Sequence, residues 1–300
     1  MDEWLEKYPK SYGFINEEDG YNEFFNTMNN LGVVFPISEN LLIVSEPLLQ
    51  QLTANLVYVH PDQNECEYFY GSKSAVGFVP SLRWLSMTKA RARTNKSTYR
   101  AWISVDTETE STRDSEVKLN GTLSIAFERL SGAFNKYGFI VETNSGLPNG
   151  MADASLAVVT AHGGLGQEGR YLQRISDDDS LIESPSALAA SLADVELVIL
   201  FVCSGGRIDK DPWDNRTVGL PRLLLNKGVR AVIASPWPLD VKVTYNWLEP
   251  FMDAWGDGMT VIQATKVANQ AVVKRLGDNP KYSLAMSAYG DLLMTKQSTQ

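Results

Sequence analysis

The fold of this chain is decided by three apolar runs between residues 155 and 238: Leu156-Ala157-Val158-Val159-Thr160-Ala161, Leu197-Val198-Ile199-Leu200-Phe201-Val202 and Val229-Arg230-Ala231-Val232-Ile233-Ala234-Ser235. Each run is short, aliphatic or β-branched, and bounded by Gly, Pro or charge, which is typical of strands buried on both faces of a parallel sheet. Residues 186–193, which follow Pro185, have a helical pattern. Strand, helix and strand in succession form a βαβ unit, so we expect the first two strands to be parallel neighbours.

Residues suited to catalysis follow the predicted strands. The first strand leads into His162-Gly163-Gly164, the second into Cys203-Ser204-Gly205-Gly206, and the third into Pro236-Trp237-Pro238. Neighbouring strands lie about 4.8 Å apart, and open α/β sheets carry their active sites at the edge where the strands end. We therefore expect Cys203 to be a nucleophile and His162 its base. The backbone N–H groups of Gly163 and Cys203 are candidates for an oxyanion hole.

Two other interpretations of these residues compete with a catalytic dyad. In the first, Cys203 is a packed core cysteine, since a free cysteine behaves as a small hydrophobe, and His162 is a satisfied polar residue. Both residues follow the apolar runs rather than lie inside them, which favours the functional dyad. In the second, the chain is an α/β-hydrolase with a G-x-C-x-G elbow, but Phe201 stands at the first glycine position and the histidine precedes the cysteine.

The remaining histidine and cysteine lie in the N-terminal part of the sequence. His60 and Cys66 are two candidate metal ligands, and two ligands do not make a zinc site. We interpret Cys66 as a packed strand cysteine and His60 as a surface residue. We therefore predict neither a metal nor a cofactor.

Composition narrows the class of protein and of partner. The 300 residues are 44% hydrophobic and 21% charged, with a formal net charge of -9. This charge disfavours nucleic acid and anionic membranes as partners, so we expect a protein or peptide partner. No apolar run approaches the roughly 20 residues of a membrane span. The acidic start, Met1-Asp2-Glu3-Trp4, does not resemble a secretory signal, and two dissimilar cysteines indicate a reducing cytoplasm.

The pattern along the chain predicts a layered α/β protein with an accessory N-terminal part. Residues 1–97 read as an extension, then short strands at 41–45, 56–60 and 66–70 whose spacing suggests antiparallel hairpins or an edge subdomain, then a helix that Pro80-Ser81 opens. Residues 98–300 read as a catalytic domain with a mostly parallel central sheet and helices on both faces. Its other predicted strands are 101–106 and 139–142, and its other predicted helices are 117–136, 218–227, 240–255 and 260–276.

The helix after Pro80-Ser81 carries the main basic concentration of an acidic chain. We expect its residues Leu82, Leu85 and Met87 to face inward. The basic residues are spread around the helix and beyond it, and we interpret them as a solvated face, with a docking patch for an acidic partner as the lesser alternative. They are Arg83, Lys89, Arg91, Arg93, Lys96 and Arg100.

Several motifs resemble those of a known peptidase group. Ala161-His162-Gly163 and Val202-Cys203-Ser204-Gly205 are similar to the His-Gly and Cys motifs of clan CD cysteine peptidases, which include caspases, metacaspases and separase. Three further stretches narrow the resemblance to the CHAT domain, a bacterial caspase-like module often coupled to tetratricopeptide repeats. They are Val79-Pro80-Ser81-Leu82-Arg83-Trp84-Leu85, residues 228–238, and the closing helix with Ala264 and Ala268. The resemblance covers about residues 41–295.

The resemblance implies a caspase-like fold and an endopeptidase that uses a Cys-His dyad with no essential third side chain. Relatives act in regulated proteolysis, including prokaryotic antiviral defence, where an activated peptidase cleaves a partner such as a gasdermin-like pore former. A regulatory or sensor protein or domain is implied as well, because no tetratricopeptide repeat is visible in this sequence. One departure is Phe201-Val202 before the cysteine, where many members have Ser-Ala. The alternative is a catalytically silent scaffold that binds protein partners.

A comparison with relatives also predicts the substrate preference. Caspases hold aspartate with arginines, one directly after the tryptophan of a Ser-Trp-Arg stretch, where this chain has Pro238. Metacaspases prefer Arg or Lys and place an acidic residue two before the nucleophile, where this chain has Phe201. We therefore expect Trp237 and Phe201 to line an apolar pocket for an uncharged residue such as Leu or Met. Asp240 is the alternative, as a partner for a basic substrate residue or simply as a helix N-cap.

Two charged segments complete the list of candidates. Residues 207–216 carry many charged and polar side chains directly after the nucleophile, and we expect a mobile gate, with an ordinary surface loop as the alternative. Asp177-Asp178-Asp179 is interpreted as a solvated turn, because three consecutive carboxylates cannot all face one ion. A calcium site there is the alternative that a calcium-dependent activity would favour.

Overall fold

A computed structural model of the chain describes residues 38–44, 53–57, 69–93, 96–104, 127–144, 147–161, 163–165, 171–174, 182–210 and 217–297. The strands in these ranges are β1 (Asn40–Ile43), β2 (Ala75–Phe78), β3 (Thr98–Ser104), β4 (Ile140–Asn144), β5 (Ala154–Ala161), β6 (Gly164–Leu165), β7 (Tyr171–Arg174), β8 (Ile182–Glu183), β9 (Leu197–Val202), β10 (Asp209–Lys210), β11 (Thr217–Val218), β12 (Ala231–Ala234) and β13 (Ser287–Gly290). The helices are α1 (Tyr70–Lys73), α2 (Leu82–Ala90), α3 (127–137), α4 (Pro185–Ser191), α5 (Leu220–Asn226), α6 (Val241–Gly256), α7 (Val261–Leu276) and α8 (Pro280–Ser283). Single 3-10 turns lie at Ala54–Leu56 and Met151–Asp153.

Within the described ranges, eight strands form one sheet in the order β1-β2-β13-β12-β9-β5-β3-β4. The strands from β12 to β4 are parallel to one another, as are β1, β2 and β13, and the two groups meet at the antiparallel pair of β12 and β13. The predicted parallel neighbours β5 and β9 are confirmed. As a result β5, β9 and β12 end at the same edge of the sheet, which we call the carboxyl edge.

Helices cover both faces of the sheet, as the sequence predicts. Because side chains alternate along a strand, Leu197, Ile199 and Phe201 of β9 face a core formed with α3, α6 and α7. Val198, Leu200 and Val202 face a second core formed with α4 and α5. Two buried faces explain why these strands read as continuous apolar runs without a polar side.

Local capping signals set the starts of three helices, two of them, α4 and α6, near the carboxyl edge and the third, α7, at the opposite edge. Ser184 accepts a hydrogen bond from the Ala187 N–H with Pro185 in the first turn, and Asp240 caps α6. Thr260 and Gln263 form a reciprocal capping box at the start of α7. Each cap satisfies backbone N–H groups that a helix leaves unpaired. These starts agree with the predicted helices to within a residue or two.

The N-terminal prediction is confirmed for the strand at 41–45, which is β1 at an edge of the sheet, and wrong for the antiparallel hairpin expected there. β1 pairs in parallel with β2, a strand that the sequence did not reveal. Leu56 lies in a 3-10 turn rather than a strand, and Tyr70 begins a helix. His60 and Cys66 lie outside the described residues. Because β1 and β2 extend the same sheet as β12 and β13, the boundary that we predicted between residues 97 and 98 does not coincide with a break in the sheet.

The predicted orientation of α2 is also wrong in part. Leu82 and Met87 are 71% and 65% exposed. Trp84 packs on the second core and Thr88 is buried, so the helix presents a different face to the sheet than its apolar residues suggest.

The basic residues after α2 bind the body of the protein instead of forming only a solvated face. Arg93 pairs with Glu196, its Nη2 lying 2.7 Å from Oε2, and Arg91 donates to the Gly228 carbonyl at 2.6 Å. Lys96 donates to two backbone carbonyls, those of Ala152 and Asp194, each at 2.6 Å.

None of the helices in the described part of the chain is long and apolar enough to cross a membrane.

Candidate active site

The carboxyl edge brings together the sequences predicted to hold the site. Ala161 of β5 is in register with Val202 of β9, and Leu200 of β9 is in register with Ala234 of β12. The residues that follow are therefore neighbours: Gly163 lies against Cys203 on one side, and the segment after Ala234 contacts residues 203–206 on the other. His162 lies outside the described residues, between Ala161 and Gly163 in the sequence.

Gly163 lies directly against the backbone of Cys203. A Cβ atom at this position would overlap the carbonyl oxygen of Cys203 and come within 2.6 Å of Cγ1 of Val202. Any larger residue would separate the ends of β5 and β9. This close approach is the physical requirement for glycine at position 163, and it places the backbone of Gly163 next to the candidate nucleophile.

Residues 203–206 form a sharp elbow at the end of β9. Ser204 has a left-handed backbone with φ of 56°, a conformation that non-glycine residues adopt at a cost. The elbow is held by main-chain hydrogen bonds from the Ser204 N–H to the Trp237 carbonyl at 3.0 Å and from the Gly206 N–H to the Ser235 carbonyl at 2.7 Å. A tight turn closes it, because the Gly205 N–H donates to the Val202 carbonyl at 3.0 Å.

The Cys203 thiol is partly buried and contacts the backbone of Leu239. The Leu239 N–H donates to Sγ at 3.4 Å, and Sγ lies 3.8 Å from the Leu239 carbonyl oxygen, to which the thiol donates. Burial raises the pKa of the Cys203 thiol, the bond with Leu239 lowers it, and the charge of Asp240 raises it further. The net direction is upward, so the thiol of this resting arrangement is neutral at physiological pH.

Asp240 is the N-cap of α6. Its Oδ1 accepts a hydrogen bond from the Lys242 N–H at 2.8 Å. The N-cap interpretation of Asp240 is thus confirmed. The carboxylate nevertheless acts on Cys203 through its charge, because the two residues share the same end of the sheet.

Phe201 and Trp237 lie in the hydrophobic core. Phe201 is 3% exposed and meets Trp247 edge-on, with ring centroids 6.2 Å apart. Trp237 is 2% exposed, and its indole N–H donates to the Lys281 carbonyl at 3.0 Å. Both side chains are almost wholly covered in this structure, and their role in a substrate pocket stays a prediction.

The segment after the nucleophile is ordered where the structure describes it. Ile208 is buried in the second core, and β10 pairs with β11 in a short antiparallel ladder. Residues 211–216 lie outside the described ranges, and a mobile gate in residues 207–216 stays a prediction.

No metal site is present in the described ranges: they hold no group of three or more His, Cys, Asp or Glu side chains able to bind an ion. Asp177, Asp178 and Asp179 lie outside these ranges.

Leu239 is the contact that sequence reasoning missed. It acts through its main-chain N–H and carbonyl, which every residue type except proline carries, so its side chain gives no signature. Its position in the sequence was a weaker signal. Leu239 lies in the loop between the end of β12 and the N-cap of α6, and loops that follow parallel strands lie at the carboxyl edge, where sites are found.

Comparison with known families and structures gives a consistent result. Residues 161–289 match the sequence model of the CHAT domain family. No curated protein matches the chain. The crystal structure of gingipain R, an Arg-specific cysteine proteinase, is similar over 93% of this chain and 68% of its own, with a TM-score of 0.53 and 12% identity. The complex of the pro- and mature domains of Porphyromonas gingivalis RgpB gives 13% identity, 93% and 70% coverage, and a TM-score of 0.53.

A third similar structure is the separase–securin complex of Saccharomyces cerevisiae. It matches 75% of this chain with 17% identity and a TM-score of 0.49, and the chain spans only 14% of the separase chain. The likeness to the gingipain structures and the layered sheet identify the fold as the predicted caspase-like α/β sandwich, with its central sheet between two layers of helices.

Proposed function

We propose that this chain, whose residues 161–289 match the CHAT domain, is a cysteine endopeptidase that uses Cys203 and His162 as its dyad. One observation carries the proposal: Gly163, the residue after His162 in the sequence, lies against the carbonyl of Cys203 at the carboxyl edge, where β5 and β9 end side by side. A cysteine beside a histidine at the ends of neighbouring parallel strands is the arrangement that nucleophilic catalysis needs.

The proposed reaction has two steps. The Cys203 proton passes to His162, the sulfur forms a bond with the scissile carbonyl carbon, and the N–H groups of Gly163 and Cys203 stabilise the oxyanion. His162 then donates its proton to the leaving amine as the C–N bond breaks. A water molecule gives a proton to His162 and attacks the thioester, which releases the carboxylic acid and restores the thiol.

Because the pKa of the thiol is raised, this mechanism requires a base that removes the proton from Cys203. Because Cys203 is neutral in the resting arrangement, the thiolate forms only when His162 accepts the proton in the encounter with substrate. A neutral thiol in the resting protein is consistent with a peptidase that stays inactive until a regulator activates it. We therefore include a regulatory or sensor protein, and a role in regulated prokaryotic proteolysis or defence, in the proposal. A protein substrate, such as a gasdermin-like effector, belongs to it as well.

The preference for an uncharged residue before the cleaved bond stays a prediction. Phe201 and Trp237 are buried in this structure, so they would line the pocket after a rearrangement of the site. The Oδ1 atom of Asp240 accepts a hydrogen bond from the Lys242 N–H, and a pairing of its carboxylate with a basic substrate residue stays the alternative.

A scaffold without catalytic activity is the second candidate. The observation that favours it is the same neutral, partly buried thiol, since an unreactive cysteine would have these properties. The two candidates differ in whether any protein is cut.

Identification of newly formed N termini decides between them. A library of peptides made from a cell proteome is incubated with wild type, Cys203→Ala and His162→Ala, and the new N termini are sequenced by mass spectrometry. The proposal predicts a set of cleavages that is present with wild type and missing with both variants. Identical sets for wild type and Cys203→Ala would support the scaffold.

A further inference from the structure

Tyr289 on β13 reaches across the second core to the elbow that carries Cys203. Its hydroxyl donates a hydrogen bond to the carbonyl oxygen of Gly206 at 2.9 Å, and the residue is 4% exposed. The two residues are 83 positions apart in the sequence. The bonds described for the backbone of residues 204–206 come otherwise from main-chain groups, so this hydroxyl is a side-chain donor to the elbow.

Gly206 is held from both sides. Its N–H donates to the Ser235 carbonyl at 2.7 Å, while its carbonyl accepts from Tyr289. A Cβ atom at Gly206 would lie 2.8 Å from the Ala234 carbonyl oxygen and 2.9 Å from the carbonyl carbon of Ser235. The backbone of the elbow therefore packs directly on the end of β12, with no space to shift toward it.

The ring of Tyr289 is itself fixed. It stacks on Phe78 of β2 with ring centroids 6.4 Å apart and an interplanar angle of 20°. Tyr289 is also in register with Phe78 on one side and with Val232 of β12 on the other. A ring locked in this way delivers its hydroxyl to one place, which is the condition for a supporting group to hold a site in geometry.

The elbow needs such support because its backbone is strained. Ser204 adopts φ of 56° with a side chain present, and strained positions persist when the surrounding structure determines them. If the Gly206 carbonyl lost its donor, its peptide unit would turn to find another partner, because a buried carbonyl without one is costly. That rotation would be transmitted to Ser204 and Cys203, two and three residues away.

We propose that Tyr289 is a positioning residue for the nucleophile: through the Gly206 carbonyl it holds the elbow in the geometry that presents Cys203 to a substrate. The inference rests on the proposed peptidase function for its catalytic consequence, but its structural content, a Tyr289-dependent elbow, is independent of that function.

The test compares Tyr289→Phe with a matched control. Tyr289→Phe keeps the ring and its stacking on Phe78 and removes only the hydroxyl. Tyr137→Phe is the control, because the Tyr137 hydroxyl donates to Oδ1 of Asp253 at 2.6 Å, with the Glu249 carbonyl as a second acceptor at 3.2 Å, and both acceptors are on α6, away from the elbow. Both variants lose one hydroxyl and its bonds.

The first readout is amide hydrogen exchange of the full-length protein, followed at the amides of residues 204–207. We expect these amides to exchange about tenfold faster in Tyr289→Phe, because an unpaired buried carbonyl favours local opening. Tyr137→Phe leaves them at the wild-type rate. Wild-type exchange at the elbow in Tyr289→Phe would overturn the inference, whether or not the protein cleaves peptides.

The second readout is the kinetics of cleavage of a peptide found with the wild type. For Tyr289→Phe we expect kcat to fall about tenfold with KM within about twofold of wild type, because misplacing the nucleophile slows chemistry and spares binding. An unchanged kcat beside faster exchange would also overturn the positioning role. A wild type that cuts nothing, with Tyr289-dependent exchange intact, would refute the proposed function and leave the structural role of Tyr289 standing.

Discussion

At the scale of single residues, the surroundings of the Cys203 sulfur decide whether the thiol is protonated. Cys203 is partly buried, its sulfur accepts a hydrogen bond from the Leu239 N–H, and the carboxylate of Asp240 is nearby. Burial and the carboxylate act in the same direction against the thiolate, while the hydrogen bond opposes them. The resting cysteine is therefore protonated, and its reactivity depends on a base rather than on its own acidity.

The charge of Asp240 can be separated from its capping role. Asn caps a helix about as well as Asp, so Asp240→Asn keeps the start of α6 and removes the negative charge beside the sulfur. We expect the pKa of the Cys203 thiol to fall, because a nearby anion disfavours the thiolate. Alkylation of the Cys203 peptide by iodoacetamide, followed against pH by mass spectrometry, will then show a midpoint at lower pH than in wild type.

Iodoacetamide reacts with the thiolate, so a lower pKa gives faster alkylation at neutral pH. Asp257→Asn, at the opposite end of the same helix, is the matched control and should leave the midpoint unchanged. A midpoint that stays put or rises in Asp240→Asn would show that the carboxylate does not act on Cys203.

The left-handed backbone of Ser204 gives a second prediction at this scale. Ser204→Gly removes a left-handed penalty of about 1–2 kcal/mol and adds an unfolded-state entropy cost of about 0.5–1 kcal/mol. We therefore expect the free energy of unfolding to rise by about 0.5–1 kcal/mol in urea denaturation. Ser204→Ala keeps the side-chain penalty and should stay within about 0.5 kcal/mol of wild type. A Ser204→Gly protein less stable than Ser204→Ala would contradict the assignment of strain to this residue.

At the scale of secondary-structure elements, the strands that carry the site could be predicted well from the sequence. The run from Leu197 to Val202 is β9 without a shift, and β5 begins two residues before the predicted start. These strands are buried on both faces, so their sequences are continuous apolar runs that stand out from their surroundings. The pairing of β5 with β9 followed from the helix between them.

Other elements could not be predicted, for identifiable reasons. β2 reads Ala-Val-Gly-Phe and β13 reads Ser-Ala-Tyr-Gly, so neither has the β-branched run that marks a strand. Their place in the sheet comes from long-range pairing with each other and with β12. The buried face of α2 was missed because packing against the second core, rather than its own apolar residues, decides its orientation. Tyr289 and Leu239 were missed because one acts from a distant strand and the other through its backbone.

The edge of the sheet opposite the carboxyl edge is held by a buried ionic cluster. Arg230, at the start of β12, is 4% exposed, and its Nη2 lies 3.6 Å from Oδ2 of Asp291, which is 1% exposed. Arg230 also donates to the carbonyls of Arg91 at 3.1 Å and Thr88 at 2.7 Å. It therefore joins the C-terminal end of α2 to the sheet.

Removing this buried cation should be costly. We expect Arg230→Ala to lower the free energy of unfolding by about 3 kcal/mol, because it removes the donor to the carbonyls of Arg91 and Thr88 and leaves the buried Asp291 with Lys89, at 2.8 Å, in place of two cations. Arg100→Ala is the matched control: Arg100 pairs with Asp153 at 2.7 Å, but Asp153 is 55% exposed. An exposed pair contributes at most about 1 kcal/mol. Equal losses in the two variants, measured by urea denaturation, would refute the role of the buried cluster.

At the scale of the whole molecule, the N-terminal strands belong to the same sheet as the candidate site. β2 pairs with β13, Phe78 stacks on Tyr289, and α2 supplies carbonyls to Arg230. The division that we predicted, with residues 1–97 as an accessory part and 98–300 as the catalytic domain, thus crosses a continuous sheet.

This continuity predicts the behaviour of a fragment. Residues 98–300 expressed alone would expose the β2-facing edge of β13 and leave Arg230 without two of its acceptors. We expect the fragment to lack a cooperative thermal transition, because an edge of the core and a buried cation lose their partners together. The full-length protein is the reference, followed by near-ultraviolet circular dichroism. A fragment that unfolds cooperatively at the wild-type temperature would establish 98–300 as an independent domain.

If Cys203 and His162 act together as a dyad, a thiol-directed probe will label the cysteine rapidly only when the histidine is present. A peptide that ends in Leu and carries a thiol-directed acyloxymethyl ketone is incubated with wild type, Cys203→Ala, His162→Ala and Cys66→Ala, and the modified cysteine is identified by mass spectrometry. The account predicts labelling of Cys203 in wild type and in Cys66→Ala, none in Cys203→Ala, and labelling at least about a hundredfold slower in His162→Ala, because a positioned base contributes that much or more. Labelling that proceeds equally well in His162→Ala, or wild-type labelling that does not occur at Cys203, would contradict it.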